Sequence, residues 1–492
     1  MAVKLIYKDI AVGADKDAIV HASEATPFSD LNKIPFGVVA PAVATCEPNG
    51  WGLSHDYGVL EGQPCAFWSV EKSNNECGFD ITPAIALDFL RQYTSTAITV
   101  RFSPSSMDYC SQVSVAWYQD GEEKKSGVYY PDKPTFVIHE AVEAFDSLII
   151  SFDKTSLPNK RVKVEQIILG VLREFSGEEL TKATFVHEIS PISDTVPANV
   201  LDASFHNNEN IDFVFQRKQP VEAYNGSDLL GVYYIETGKR LGANDYTISC
   251  TDMVGVLDTD EYLGGIWITD TPLTTMLTEI FEDGVEFDIA DVYADSKLRG
   301  YIPPGTKRTA LQQIAFALGA VVDTTGTNKV KIYPQSTSEA GEILPEKTYI
   351  GGSVEMADKV TEVTVTAYVI FDERPGEGDE YIEHEGVQYR YYTETKHASN
   401  PDVVSTDLQN KIKFTGAYLV NLSNAQMLAD NIMAHYLRRE KYSFKHVLEG
   451  QEIGKRETVT LPWGGEATGT VTKTTISVTG ITVSNTEMLL DY

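Results

Sequence analysis

Period-two alternation of apolar and polar residues is the dominant pattern along this chain, and it predicts strands. Gln112–Tyr118 (QVSVAWY) alternates cleanly, and Ala97–Phe102 is a short β-branched run. Thr135–Ile138, Leu148–Phe152 and Val162–Leu169 continue the series. Turn residues separate them: Ser103-Pro104-Ser105, Asp120-Gly121, Pro131-Asp132 and Leu157-Pro158-Asn159. Short strands with such breaks predict a β-sandwich over residues 35–172, preceded by an N-terminal arm, 1–34. Glu174–Thr184 is polar and charged and reads as a linker.

A second β group follows over 185–262. Ile211–Gln216 and Pro220–Tyr224 flank the basic turn Arg217-Lys218. Leu229–Glu236 and Asp245–Thr251 then complete an antiparallel meander, with Asn225-Gly226-Ser227 as its tight turn.

The period changes to 3.6 in the next stretch, 263–336. Leu273, Met276, Leu277, Ile280 and Phe281 form one helical face, with Thr271 as the expected N-cap, Pro272 as the first helical residue and Gly284 as the stop. Ala310, Leu311, Ile314, Ala315 and Leu318 form another, capped by Thr306 and ended by Gly319. Val321–Asp323 and Lys329–Tyr333 read as a strand pair around Thr325-Gly326, giving a small α/β insert.

Alternation returns in 345–492. Val360–Phe371 is a strand, and an acidic loop follows over 372–386. A helix begins at Ser423, with Gln426 as its capping-box partner and Leu428 and Ile432 in its buried stripe. Phe444–Leu448, Thr458–Leu461, Gly469–Lys473 and Thr475–Thr479 read as closing strands. The fold class expected is mainly β with an α+β insert.

Composition narrows the function. The chain has 492 residues, too many for one core. Its net charge of −31 repels nucleic-acid backbones and anionic membranes, so stable nucleic-acid binding is not expected. The acidity fits an ordinary soluble protein and also a duct that lets DNA pass without sticking. Cys46, Cys65, Cys77, Cys110 and Cys250 include no CxxC pair, and they are expected to be reduced core thiols. The N-terminus has no sustained apolar run, and no stretch reaches about 18 apolar residues, the length of a membrane-spanning helix.

His139-Glu140 and His187-Glu188 do not extend to HExxH, and no GxSxG, P-loop or GxGxxG motif occurs. His384 lies between Glu383 and Glu385 in the acidic loop and reads as solvated. That loop has no calcium-binding pattern. Trp51, Trp68, Trp117, Tyr129 and Tyr130 fit either sugar stacking or a sandwich core. No catalytic, cofactor-binding or metal-binding residue is expected, and no cofactor.

One stretch carries a family likeness. From Ile266 to Pro334 the order is a helix with an LxxMLxxIF stripe, then Val285-Glu286-Phe287-Asp288, then Lys297–Pro303 (KLRGYIP). Thr306–Ala320 (TKRTALQQIAFALGA) and Lys329–Tyr333 (KVKIY) follow. This order resembles the small α/β insert of phage tail hub, or baseplate hub, proteins from Gram-positive phages and phage-derived contractile particles. The flanks agree: Asn225–Asp258 resembles the first ring-forming β domain of those hubs. Val354–Phe371 and Ser423–Thr479 resemble the second, including the Leu461–Val471 hairpin. Leu148–Gly170 resembles β-sandwich modules attached to such tail proteins.

The resemblance implies two barrel-like ring domains, 185–262 and 345–492, flanking the insert. It also implies a homotrimer whose six pseudo-equivalent domains match a six-fold tube on one side and a three-fold spike or tip on the other. The implied partners are a tail tube or distal tail protein, a spike or tip protein and a tape measure protein. The implied location is a virion or phage-like particle assembled in the bacterial cytoplasm. No family catalytic residue carries over. The chain ends at Tyr492 after the second ring domain, so tail-associated cell-wall hydrolysis is not expected. The other reading kept open is a carbohydrate-binding adhesin that reaches a host-surface glycan through the N-terminal sandwich.

Overall fold

A computed structural model describes residues 3–11, 13–36, 66–102, 109–207, 215, 217–335, 340–349, 351–448, 453–479 and 482–491. Trp51, Cys46, Cys65, the Ser103-Pro104-Ser105 turn and, apart from Phe215, the Ile211–Gln216 strand lie outside the described residues. The chain divides into two compact units, Ile6–Glu174 and Met1–Leu5 with Phe175–Tyr492.

The first unit is a two-sheet sandwich. One sheet runs in the order Ala18–Ala22, Ala84–Ser95, Val142–Thr155, Cys110–Gln119, Glu122–Tyr129. The other runs Phe67–Trp68, Lys163–Ile168, Ile98–Phe102, Thr135–Ile138. Alternation decides which side chains face in. Val113, Val115 and Trp117 of one strand meet Leu148, Ile150 and Phe152 of its neighbour, all buried. Phe152 stacks on Phe67 at 6.0 Å and meets Phe102 edge-on at 6.1 Å, tying the two sheets together. Each such side chain contributes about 2–3 kcal/mol on burial.

In the second unit one sheet crosses the whole body. From Pro220–Asn225 onward its order is Pro220–Asn225, Asp228–Arg240, Asp245–Thr251, Val200–His206, Leu180–Glu188, Glu466–Val478, Thr482–Leu490, Glu440–His446, Ser353–Met356. The first five strands come from the meander region and the last four from the C-terminal region. They join where Ala183–Glu188 pairs antiparallel with Lys473–Val478. The polar run Glu174–Thr184 is therefore not a linker. Strands Gly170–Ser176 and Leu180–Glu188 cover it, with the charges of Glu178 and Glu179 at the turn between them. The C-terminal stretch read as two strands is one, Glu466–Val478, with a bulge between Val471 and Lys473. Thr482–Leu490 is a further strand that the sequence reading missed.

The insert packs helices Leu273–Phe281 and Lys307–Leu318 together over a small sheet of Phe287–Ile289, Val330–Pro334 and Ala320–Asp323. Thr306 caps the second helix in a reciprocal box with Thr309, and Gly319 ends it at φ 65°. The first helix differs from expectation. Thr271 is paired with Leu298 in a strand, Pro272 occupies the cap position and Glu282, not Gly284, is the C-cap. A third helix, Ala425–Leu437, buries Leu428, Ile432 and Met433 against Val363 and Val365 of Glu362–Ile370. Asn424 is its N-cap residue, and Ser423 instead donates its hydroxyl to Asn421 at 2.5 Å. Gln426 donates to the His397 carbonyl rather than closing a capping box. Among the described residues no helix is long and apolar enough to cross a membrane.

Gly300 fixes how closely the insert approaches the C-terminal region. Its φ is 143°, and a Cβ there would lie 2.2 Å from the Tyr418 carbonyl oxygen and 2.9 Å from Leu419 Cα. Both obstacles are backbone, so neither can swing aside. Gly300→Ala is expected to cost roughly 3 kcal/mol or more through overpacking and backbone strain. Gly284→Ala, where a Cβ meets nothing within 4 Å, is the matched control. Thermal melting checks this: the first variant melts well below wild type, and the second melts within a degree or two of it.

Candidate assembly surface

The seam between the two strand groups sets the chemistry of both sheet faces. Thr184 lies opposite Ser477, Val186 opposite Thr475 and Glu188 opposite Lys473. Because side chains alternate, these all share the outward face. The registers extend this face through Asp202 and Ser204 to Ser249 and Thr247, then to Thr237 and Lys239. In the other direction it runs through Asn485 and Glu487 to Lys445 and Ser443. Hydroxyl side chains predominate. Two of its carboxylates are paired: Lys473 with Glu188 at 2.8 Å and Lys441 with Glu487 at 3.2 Å. Such a surface stays hydrated and offers little that is adhesive.

The inward face is closed by the insert through a buried polar network. Asp252 accepts from the Thr324 hydroxyl at 2.6 Å and from the Asn199 and Gly255 amides at 3.0 Å each. The Asn199 side-chain amide donates to Thr324 at 2.9 Å, while its carbonyl accepts from the Glu188 amide at 3.0 Å. Asp323 receives the Lys331 ammonium at 2.6 Å. His187 Nε2 lies 2.5 Å from the Tyr233 hydroxyl, and both side chains are buried. Thr324 ties the insert to Asn199 and Asp252, the Glu188 amide ties Asn199 to the seam, and His187 ties the seam to Tyr233 of the meander, so the network registers three parts of the unit on each other. Beside it a cavity of about 330 Å³ is lined by His187, Lys331 and Thr474, whose buried hydroxyl has no partner. That is room for ordered water.

Ser353–Met356 ends the sheet, with Met356 63% exposed. Nearby strand ends carry further exposed apolar side chains: Leu344, Tyr349, Val447 and Trp463, the last on the Thr460–Glu466 turn. Scattered exposed apolar residues are ordinary, but a sheet end and an exposed tryptophan together suit contact with another chain.

The residues weighed from sequence fall elsewhere. Trp68 and Trp117 are core residues, 3% and 0% exposed, so they cannot stack on a sugar. Tyr129 is half-buried and Tyr130 exposed. His187 is a core residue of the seam. The acidic stretch 372–386 is not all loop: Tyr381–His384 pairs with Val387–Ser399 in a hairpin, and the His384 ring meets Tyr301 edge-on at 6.1 Å. Cys77, Cys110 and Cys250 are free thiols, the last two buried. Among the described residues no group of three or more His, Cys, Asp or Glu is placed to hold a metal ion.

No family model matches the chain, and no curated protein matches it in sequence. Solved structures do match. The tail protein from Neisseria meningitidis MC58 aligns over 65% of this chain and 94% of its own, at 12% identity and a TM-score of 0.47. Prophage tail protein gp18 from Listeria monocytogenes EGD-e aligns over 64% and 91%, at 11% identity and 0.43. An Escherichia coli component of the type VI secretion system, described as structurally similar to bacteriophage T4 tail proteins, aligns over 64% and 74%, at 8% identity and 0.39. These three are two tail proteins, one of them from a prophage, and a secretion-system component.

The buried network gives the fold a pH dependence. Burial pushes the His187 imidazole down to about 4, and burial, with Arg438 second, does the same to His435. The unfolded chain protonates these rings near 6.5, so stability is lost as pH falls from about 6.5 to 4. Burial pushes Asp252 up to about 6, which works in the opposite direction: its contribution grows as pH falls from 6 toward 4. Two histidines outweigh one carboxyl. Melting temperature is therefore expected to fall between pH 7 and 4.5, and His187→Gln to remove roughly 2 kcal/mol of that acid loss. Melting curves across the range check both statements.

Proposed function

We propose that this chain is the structural hub of a phage or phage-like tail baseplate, joining the tail tube to the spike or tail tip. The observation that supports it most is the continuous sheet, in which strands from the meander and from the C-terminal region share one hydroxyl-rich outer face. A tube wall needs such a face: broad, hydrated and weakly adhesive. Two β groups per chain let three copies supply the six positions that a six-fold tube presents, while three-fold symmetry remains for the spike. The residue order from Ile266 to Pro334 resembles the tail-hub insert, and a net charge of −31 disfavours retention of a polyanion passing through.

On this reading the chain forms a homotrimer, contacts a tail tube or distal tail protein, a spike or tip protein and a tape measure protein, and resides in a particle assembled in the bacterial cytoplasm. Its role is structural rather than catalytic. Trp68 and Trp117 are core side chains and supply no stacking surface for an adhesin.

The test is native mass spectrometry and electron microscopy of the chain, alone and with the tube and spike proteins encoded beside it. Three copies in a three-fold ring are expected, with or without those partners. A chain that stays monomeric with both partners present would contradict the proposal.

A further inference from the structure

We propose that the outer face of the N-terminal sandwich binds an uncharged oligosaccharide in a cleft of about 710 Å³ built around Asp88, Tyr118 and Asp146. This goes beyond the hub reading and does not rest on it.

The cleft is made by a break in strand pairing. Asp88 pairs with Ser147, but the next pair is Tyr93 with Phe145. Phe89 keeps its pairing with Ala18 on the other side and its place in the core, so Leu90–Gln92 are the residues that bulge out opposite Asp146. Bulges of this kind re-aim side chains, and they gather next to sites. Here the bulge raises Leu90, 76% exposed, with Arg91 and Gln92 as one rim. The Gln119–Glu122 turn forms the other rim. Asp120 and Gly121 sit there at φ 52° and 82°, and the Asp120 amide donates to Asp146 Oδ2 at 2.7 Å. The floor follows from register. Asp88, Ser147 and Tyr118 stand in one row across three strands, and Ala86, Ile149 and Ala116 form the next. The alanines keep that floor low between larger neighbours.

The lining chemistry selects the ligand class. Asp88 is already oriented, accepting from the Ser147 hydroxyl at 2.7 Å, and Asp146 is held by the turn. Asp88, Asp120 and Asp146 offer acceptors, Gln92 adds an amide, and Leu90, Tyr118 and Ile149 offer apolar surface. A sugar ring matches this pairing, since its hydroxyls donate to carboxylates while its C–H faces pack on apolar side chains. Other classes fit worse. Arg91 gives its Nε–H to Asp17 at 2.6 Å, so its charge is already balanced and the three aspartates repel phosphate or sulfate. Among the described residues these carboxylates form no metal-holding group. The floor is a sheet face rather than an edge, so an extended peptide finds no backbone ladder to join.

The experiment probes an array of neutral oligosaccharides with the labelled full chain, followed by titration calorimetry on any ligand found. Wild type is expected to bind at least one neutral oligosaccharide. Tyr118→Ala and Asp146→Asn should each weaken binding at least tenfold with melting unchanged, while Tyr130→Ala, outside the lining, should leave it intact. If Tyr118→Ala melts low, Gln92→Ala on the exposed bulge carries the same test. No binding to any neutral oligosaccharide, a preference for sulfated glycans or polyamines, or binding unmoved by the cleft variants would overturn the proposal. Ring formation is read separately, so failure here leaves the hub reading standing.

Discussion

The pairing of Ala183–Glu188 with Lys473–Val478 is the constraint on which the second unit depends. It brings together two strand groups separated by the insert and a long stretch of chain. Closing so long a loop costs only slightly more than closing a shorter one, because the entropic penalty grows with the logarithm of length. The return is local and large. Phe185 lies opposite Ile476 on the inward face, both are buried, and an aromatic opposite a β-branched side chain is a favourable cross-strand pair. The same register places Glu188 opposite Lys473 on the outward face, so one alignment satisfies the core and the surface together. A slip of one residue would exchange those faces, putting Phe185 into water and Glu188 into the core.

Function follows from what the seam does to the two faces. Outward, it produces a polar surface wider than either strand group supplies alone. Inward, it leaves an apolar face that the insert must cover. Asp252, Asn199 and Thr324 set that cover in one position, since each buried polar atom there needs its partner. The insert, most recognisable from sequence, clamps the seam, and on the proposed hub reading that seam supplies the surface for assembly. The first unit carries a different kind of surface, a cleft that depends on unpaired residues rather than on continuity.

Local chemistry was legible in the sequence where it acts alone. The helix Lys307–Leu318 was readable from Thr306 to Gly319 because cap, stripe and stop all lie within it. Thr271 and Ser423 misled for a shared reason: each is engaged by something a window of sequence does not show, a strand partner at Leu298 and the side chain of Asn421. Glu174–Thr184 looked like a linker because its charges sit at a turn and on solvent faces, while the pairings that make it strand come from far along the chain. The threonines of Lys473–Val478 hid one strand as two for the same reason. Among candidate site residues, Trp68 and Trp117 could be read either way, and only packing decided for the core. The Asp88–Tyr118 cleft was invisible because its row of side chains exists only across three strands.

Hydrogen exchange on the native chain tests the seam most directly. The amides of Ala183–Glu188 and Lys473–Val478 that bond across the pair are predicted to exchange together, at the slow rate of the second unit's core. Rapid exchange of either segment while the other stays protected would mean that the two strand groups are separate sheets, and the continuous face at the centre of this account would not exist.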